Sequence, residues 1–143
     1  MKVFFDSNVL IKYLYGSNDA RELVERALDG EWTGYINDVV VSEVVYGYLR
    51  LATGLPKHEL RRYVARGGAA LGALLRRDVV PLLEAFELLP VGVDARGVAD
   101  VMERFGLLPN DALIAATCRF YGIETIATFD EDFKKIEWLK AIP

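Results

Sequence analysis

The chain opens on Val3-Phe4-Phe5, a continuous apolar run of β-forming residues, which predicts a strand buried on both faces and central in its sheet. Asp6-Ser7-Asn8 ends the run with three helix-capping residue types, so the strand is expected to turn straight into a helix beginning near Val9. Gly16 interrupts that helix. Ser17-Asn18-Asp19 starts a second one, whose Leu23, Val24, Ala27 and Leu28 share an apolar face and which Gly30 closes. Glu31 to Ile36 reads as a short strand, and Asn37-Asp38 as the cap of a helix from about Val39 to Ala52, closed by Gly54 and Leu55-Pro56. After a long stretch of small and basic residues, Asp78 to Ala85 reads as a further helical piece and Phe86 to Val91 as a short strand broken by Pro90. Asp94 caps a helix to about Phe105 that Gly106 ends. Asn110 is the natural cap of the next helix, which Gly122 closes. Glu124 to Thr128 is a strand, Thr128 to Phe133 an acidic turn just past it, and Trp138 to Ile142 a last strand. Strands alternating with helices predict an α/β fold with a mainly parallel sheet.

At 143 residues, 52% of them hydrophobic, the sequence is expected to form a single domain over 1–143 with a sizeable core. Cys118 is the only cysteine, so no intramolecular disulfide forms, and its apolar neighbours assign it to the core. The amino terminus has no signal-peptide pattern, and no apolar run approaches the roughly 18 residues of a membrane helix, so a soluble cytoplasmic protein is expected. Glutamine is absent and Arg outnumbers Lys, a bias in the direction of thermophilic proteins.

The charge pattern adds candidate chemistry. Asp6 is the only charge between Lys2 and Lys12, Glu43 the only one between Asp38 and Arg50, and Asp111 the only one between Arg104 and Arg119. Asp6 and Asp111 each have a structural explanation of their own, as a helix cap and as an anion favoured by the first turn of a helix, whereas Glu43, about one turn after Val40 and one before Gly47, is expected to point toward the core side. Three isolated carboxylates in apolar surroundings, none with a cation nearby in sequence, are costly unless they meet each other around a cation. Asp130, just past a strand end, is a fourth that can converge with them, and Asp132 could take its place.

All the ligand atoms in such a set are oxygens. One His and one Cys make a zinc site a poor fit, whereas Mg²⁺ or Mn²⁺ suits hard carboxylate oxygens. A divalent cation also lets an acidic pocket admit a phosphate. No G-x-x-x-x-G-K-[ST] or G-x-G-x-x-G loop is present, and a Ser or Cys triad would need His58, the only histidine, far from any convincing nucleophile. Metal-assisted hydrolysis is what remains. The segment 57–90 is expected to be helical and interrupted at its glycines, with Arg61, Arg62, Arg66, Arg76 and Arg77 either on a solvated face or on a rim that tracks RNA phosphates. The net charge of −4 argues against a generic polyanion-coating protein, although net charge does not show how the charges are arranged.

Together, D-S-N-V-L at Asp6, V-S-E-V-V-Y-G at Glu43, N-D-A-L-I-A-A at Asp111 and T-F-D-E-D-F at Asp130 resemble, in order and over nearly the whole chain, the PIN-domain nucleases, and among them the small VapC-like toxins of prokaryotic toxin-antitoxin pairs. The resemblance implies a three-layer α/β/α fold with a central, mainly parallel sheet flanked by helices. It implies that Asp6, Glu43, Asp111 and Asp130 hold one or two Mg²⁺ or Mn²⁺ ions, directly or through water, and that Ser7, Asn8 and Thr128 orient them. It also implies internal cleavage of single-stranded RNA, a homodimer, and an antitoxin whose tail lies across the site. The spacing of Glu43 and Asp111 is longer than in compact members of the group, with the extra length in the Arg-rich stretch. Two readings from other classes remain open on residues alone: a binding module that keeps the fold without catalysis, and a carboxylate-metal phosphatase, which the lack of a D-x-D pattern at Asp6 disfavours.

Overall fold

A computed structural model describes residues 1–143. Five strands form one parallel sheet in the order β3-β2-β1-β4-β5: β1 is Lys2–Phe5, β2 Thr33–Asn37, β3 Glu87–Leu89, β4 Thr125–Ala127 and β5 Lys140–Ile142. The helices α1 (Ser7–Leu14), α2 (Asn18–Leu28), α3 (Asp38–Thr53), α4 (Lys57–Asp78), α5 (Val80–Leu83), α6 (Ala95–Phe105) and α7 (Pro109–Phe120) flank it. The apolar run at the amino terminus is indeed the central strand. Val3, Phe4 and Phe5 are completely buried, as a strand covered by helices on both faces requires. Phe5 packs edge-on against Phe86, ring centroids 4.9 Å apart, and β2 passes so close to Phe86 that Gly34 has no room for a side chain.

Local chemistry sets most of the helix ends. Asp6, Ser17, Asn37 and Asp94 cap α1, α2, α3 and α6 with side-chain oxygens, and Gly54 and Gly106 end α3 and α6 in the left-handed conformation that glycine adopts without strain. Several boundaries differ from the sequence expectation. The first helix starts at Ser7, two residues before Val9, because Asp6 itself is the cap. Asn110 does not cap α7. Pro109, with its φ already helical and no N–H to satisfy, occupies the first turn, so the cap position falls on Leu108. Leu28 ends α2 exposed rather than on its buried face, and β5 begins at Lys140, two residues later than expected. Segment 57–90 is helical only as far as Leu83. Its long helix α4 is kinked at Gly67, and β3 forms the edge of the sheet.

The parallel order puts every strand's carboxyl end on one side of the sheet. The strand order runs outward from β1 in one direction through β2 and β3 and in the other through β4 and β5, so the crevice outside the ends of β1 and β4 is the topological switch point at which open α/β sheets bind ligands. Cys118 is fully buried in α7, and burial pushes its thiol up, so it behaves as an inert core residue. No helix is long and apolar enough to cross a membrane.

Candidate metal centre

Asp6 follows the end of β1, and its backbone N–H donates to the Ala127 carbonyl at 3.0 Å, continuing the ladder with β4. Its carboxylate is only 4% exposed and carries no ion pair. Hydrogen bonds hold it instead. Oδ1 accepts from the Ser7 backbone N–H at 2.8 Å, and Oδ2 accepts from Asn8 Nδ2 at 2.9 Å and from the Thr128 hydroxyl at 2.7 Å. The capping role and the clustered-carboxylate role of Asp6 therefore coexist in one side chain.

Each neighbour is held in turn. Asn8 Oδ1 accepts from the Phe129 N–H at 3.1 Å, and the Thr128 hydroxyl accepts from the Asp130 N–H at 3.0 Å and from Asn8 Nδ2 at 3.3 Å. Asn8 and Thr128 thus tie the β1–α1 junction to the turn after β4. The Ser7 hydroxyl donates to Glu43 Oε1 at 3.2 Å, which joins α3 to the same network.

The carboxylate oxygens of Asp111, in the first turn of α7, of Asp130 and of Asp132 lie within 4.8 Å of one another. Asp130 caps the 3-10 helix Glu131–Lys135 by accepting from the Asp132 N–H at 2.9 Å. Asp130 is half-buried and makes no ion pair, whereas Asp132 is exposed and paired with Lys135 at 2.9 Å. The closest trio accordingly contains Asp132, which the sequence offered only as a substitute for Asp130, with Asp6 and Glu43 beside it.

The five acids repel one another. Burial, and after it the charges of Glu43 and Asp130, raise the pKa of Asp6 to about 6, against the lowering effect of its hydrogen bonds to Thr128 and Ser7. Burial, and then the charges of Asp6, Asp130, Glu43 and Asp132, raise that of Asp111 to about 6 as well. Such a set is poorly suited to stand alone near neutral pH and well suited to a hard divalent cation, because every donor is a carboxylate oxygen and only Asp132 has a competing protein cation.

One positioning contact was not foreseen from the sequence. Asn37, completely buried, accepts from the Val40 N–H at 3.1 Å and donates to the Thr117 hydroxyl at 3.1 Å, which itself donates to the Leu113 carbonyl. This bond fastens α3, which carries Glu43, to α7, which carries Asp111. Asn37 was legible as a cap, but nothing in the apolar surroundings of Thr117 marked it as its partner. Replacing Asn37 with Ala removes a cap and a buried cross-link, and is expected to cost about 2–3 kcal/mol in urea unfolding. A loss within a few tenths of a kcal/mol would show that α3 and α7 are positioned by apolar packing alone.

The arginines of the basic stretch all lie on α4 and are exposed. Arg77 is engaged with Asp78, which also accepts a hydrogen bond from the Tyr48 hydroxyl on α3. These contacts lower Asp78 to about 2. Arg61, Arg62, Arg66 and Arg76 make no ion pair, and His58 is exposed.

Known proteins resemble this chain over nearly its whole length. The PIN domain family model matches residues 3–139. Ribonuclease VapC2 of Methanocaldococcus jannaschii is 36% identical over 99% of this chain and 93% of its own length, and Ribonuclease VapC6 of the same organism is 27% identical over 98% and 95%. A chain of a toxin-antitoxin complex from Klebsiella pneumoniae superimposes with a TM-score of 0.64 at 21% identity, covering 99% of this chain and 96% of that one. Matched along almost its whole length by the family model and sharing more than a third of its residues with a VapC ribonuclease, the chain belongs to the PIN domain family.

Proposed function

We propose that the protein is a divalent-metal-dependent endoribonuclease that hydrolyses phosphodiester bonds of single-stranded RNA, acting as one nuclease domain over residues 1–143. The observation that carries this reading is the convergence of Asp6, Glu43, Asp111 and Asp130, with Asp132 at the edge, in a set of carboxylates that has almost no protein cation to neutralise it. The names of the similar VapC ribonucleases support the substrate class.

Asp6, Glu43, Asp111 and Asp130 would hold Mg²⁺ or Mn²⁺, and Asp132 would contribute directly or through water. When bound, such an ion supplies Lewis acidity toward the phosphodiester and makes water acidic enough to attack near neutral pH. The chain's own contribution is preorganisation. Ser7, Asn8 and Thr128 fix the rotamer of Asp6 through three short hydrogen bonds, so little reorientation is left for the moment of reaction. The Ser7 hydroxyl donates to Glu43, and the turn after β4 brings Asp130 to Asp111. The protein works in the cytoplasm as the toxin of a toxin-antitoxin pair, as a homodimer whose site an antitoxin blocks; the toxin-antitoxin complexes of similar fold motivate this part of the reading.

The test is cleavage of an end-labelled single-stranded RNA by the purified protein with Mn²⁺, with Mg²⁺ and with EDTA. Internal cuts that require the metal are expected. Absence of cutting by folded protein free of any antitoxin would move the assignment to a binding module.

A further inference from the structure

Helix α4 carries a charge distribution unlike the rest of the molecule. Between Lys57 and Arg77 there are six Lys and Arg residues and a single acid, Glu59, in a chain whose net charge is −4. Leu60 and Leu71 are the buried residues of this helix, while Arg61, Arg62, Tyr63 and Arg66 are all exposed. Arg62 and Arg66 stand one turn apart, and Tyr63, 51% exposed, adjoins Arg66 at the i, i+3 spacing, so the three form one surface stripe. None of these arginines is neutralised by an ion pair.

Without a bound cation the acidic centre offers a polyanion only like charge: the carboxylate oxygens of Asp111, Asp130 and Asp132 lie within 4.8 Å of one another. Affinity for a nucleic acid comes mostly from phosphate neutralisation, and must then be supplied by a different surface. We infer that the Arg62, Tyr63 and Arg66 face of α4 is the docking surface for the RNA substrate. The arginines take backbone phosphates, and Tyr63 offers an exposed ring on which an unpaired base can stack. The inference rests on the nuclease reading for the identity of the polyanion, and it assigns to α4 the affinity that the metal centre lacks. Arginine with a neighbouring aromatic favours single-stranded RNA over an acidic protein segment, which would need only the charge.

The experiment measures binding of a fluorescently labelled mixed-sequence single-stranded RNA by anisotropy across a salt series, without metal. It uses the full chain with Asp6→Asn, alone and combined with Arg62→Glu/Arg66→Glu. A charge-matched control carries Arg96→Glu/Arg119→Glu, two exposed positions outside α4. The α4 pair is expected to weaken binding on the order of tenfold to a hundredfold and to flatten the salt dependence by about 0.7 per lost phosphate contact, with the control pair changing affinity far less. Tyr63→Ala is expected to weaken binding while leaving the salt slope intact, a separation that simple charge attraction does not produce. Equal losses from the α4 and control pairs would overturn the inference. So would unchanged RNA affinity together with an altered oligomeric state on a sizing column, which would assign the face to protein contact. Because the readout is binding, it succeeds or fails independently of whether the wild-type protein cuts RNA.

Discussion

Asp6→Asn is expected to lower RNA cleavage by about 100-fold or more while leaving the fold intact and RNA binding in place. The substitution is nearly isosteric. Asn Oδ1 can still accept the Ser7 N–H, and the new amide can donate to the Thr128 hydroxyl in place of Asn8 Nδ2, since that oxygen already accepts from the Asp130 N–H. What the amide cannot supply is the negative charge that draws a cation into the cluster. Removing one charge from a crowded acidic set also weakens its repulsion of RNA, so affinity for substrate is expected to hold or rise while turnover falls. Single-turnover cleavage at saturating RNA, beside circular dichroism of the folded protein, separates the two effects. Cleavage at the wild-type rate would show that Asp6 is only the cap of α1 and that the centre lies elsewhere.

The parts of this architecture that the sequence made legible are those decided within a few residues. Caps are such parts: Asp6, Ser17, Asn37 and Asp94 act on N–H groups no more than three positions away, and Gly54 and Gly106 end helices through their own backbone. Where two local signals compete, the reading slips. Asn110 looks like the cap of α7, but Pro109 before it already has a helical φ and takes the first turn. Strand order was out of reach beyond the central place of β1, because the pairing of β1 with both β2 and β4 joins residues far apart in sequence. The candidate centre follows the same division. Lone carboxylates in apolar stretches were conspicuous, because burial of an unpaired charge is costly wherever it occurs. Whether Asp130 or Asp132 approaches Asp111 depends on the 3-10 turn that brings both close, and the cross-link from Asn37 to Thr117 spans 80 positions.

Stability without metal is expected to run opposite to that of most salt-bridged proteins, falling relative to Asp6→Asn as pH rises. The folded chain raises the Asp6 pKa from 3.8 to about 6, so the native state holds this proton more tightly than the unfolded chain does. Below pH 3.8 the carboxyl is protonated in both states and causes no loss. As pH rises through 6 the native state must ionise a buried group beside Glu43 and Asp130, and stability is lost. For a side chain 4% exposed, a shift of about two units corresponds to roughly 3 kcal/mol, lost in full above about pH 7. Asp111 moves in the same direction for the same two causes, and its exposure to solvent makes its share smaller. Asp6→Asn should therefore gain on wild type as pH rises from about 4 to 7 in EDTA, measured by urea unfolding. Adding Mn²⁺ at pH 7.5 should reverse the ranking. A ligand at 100 times its Kd stabilises the native state by about 2.7 kcal/mol, and protons compete for the same oxygens near pH 5, so the gain should shrink there and be largely absent in Asp6→Asn. If wild-type and Asp6→Asn proteins respond alike to pH in EDTA, the hydrogen bonds from Ser7, Asn8 and Thr128 already compensate the charge. The cluster would then have no electrostatic need of a cation.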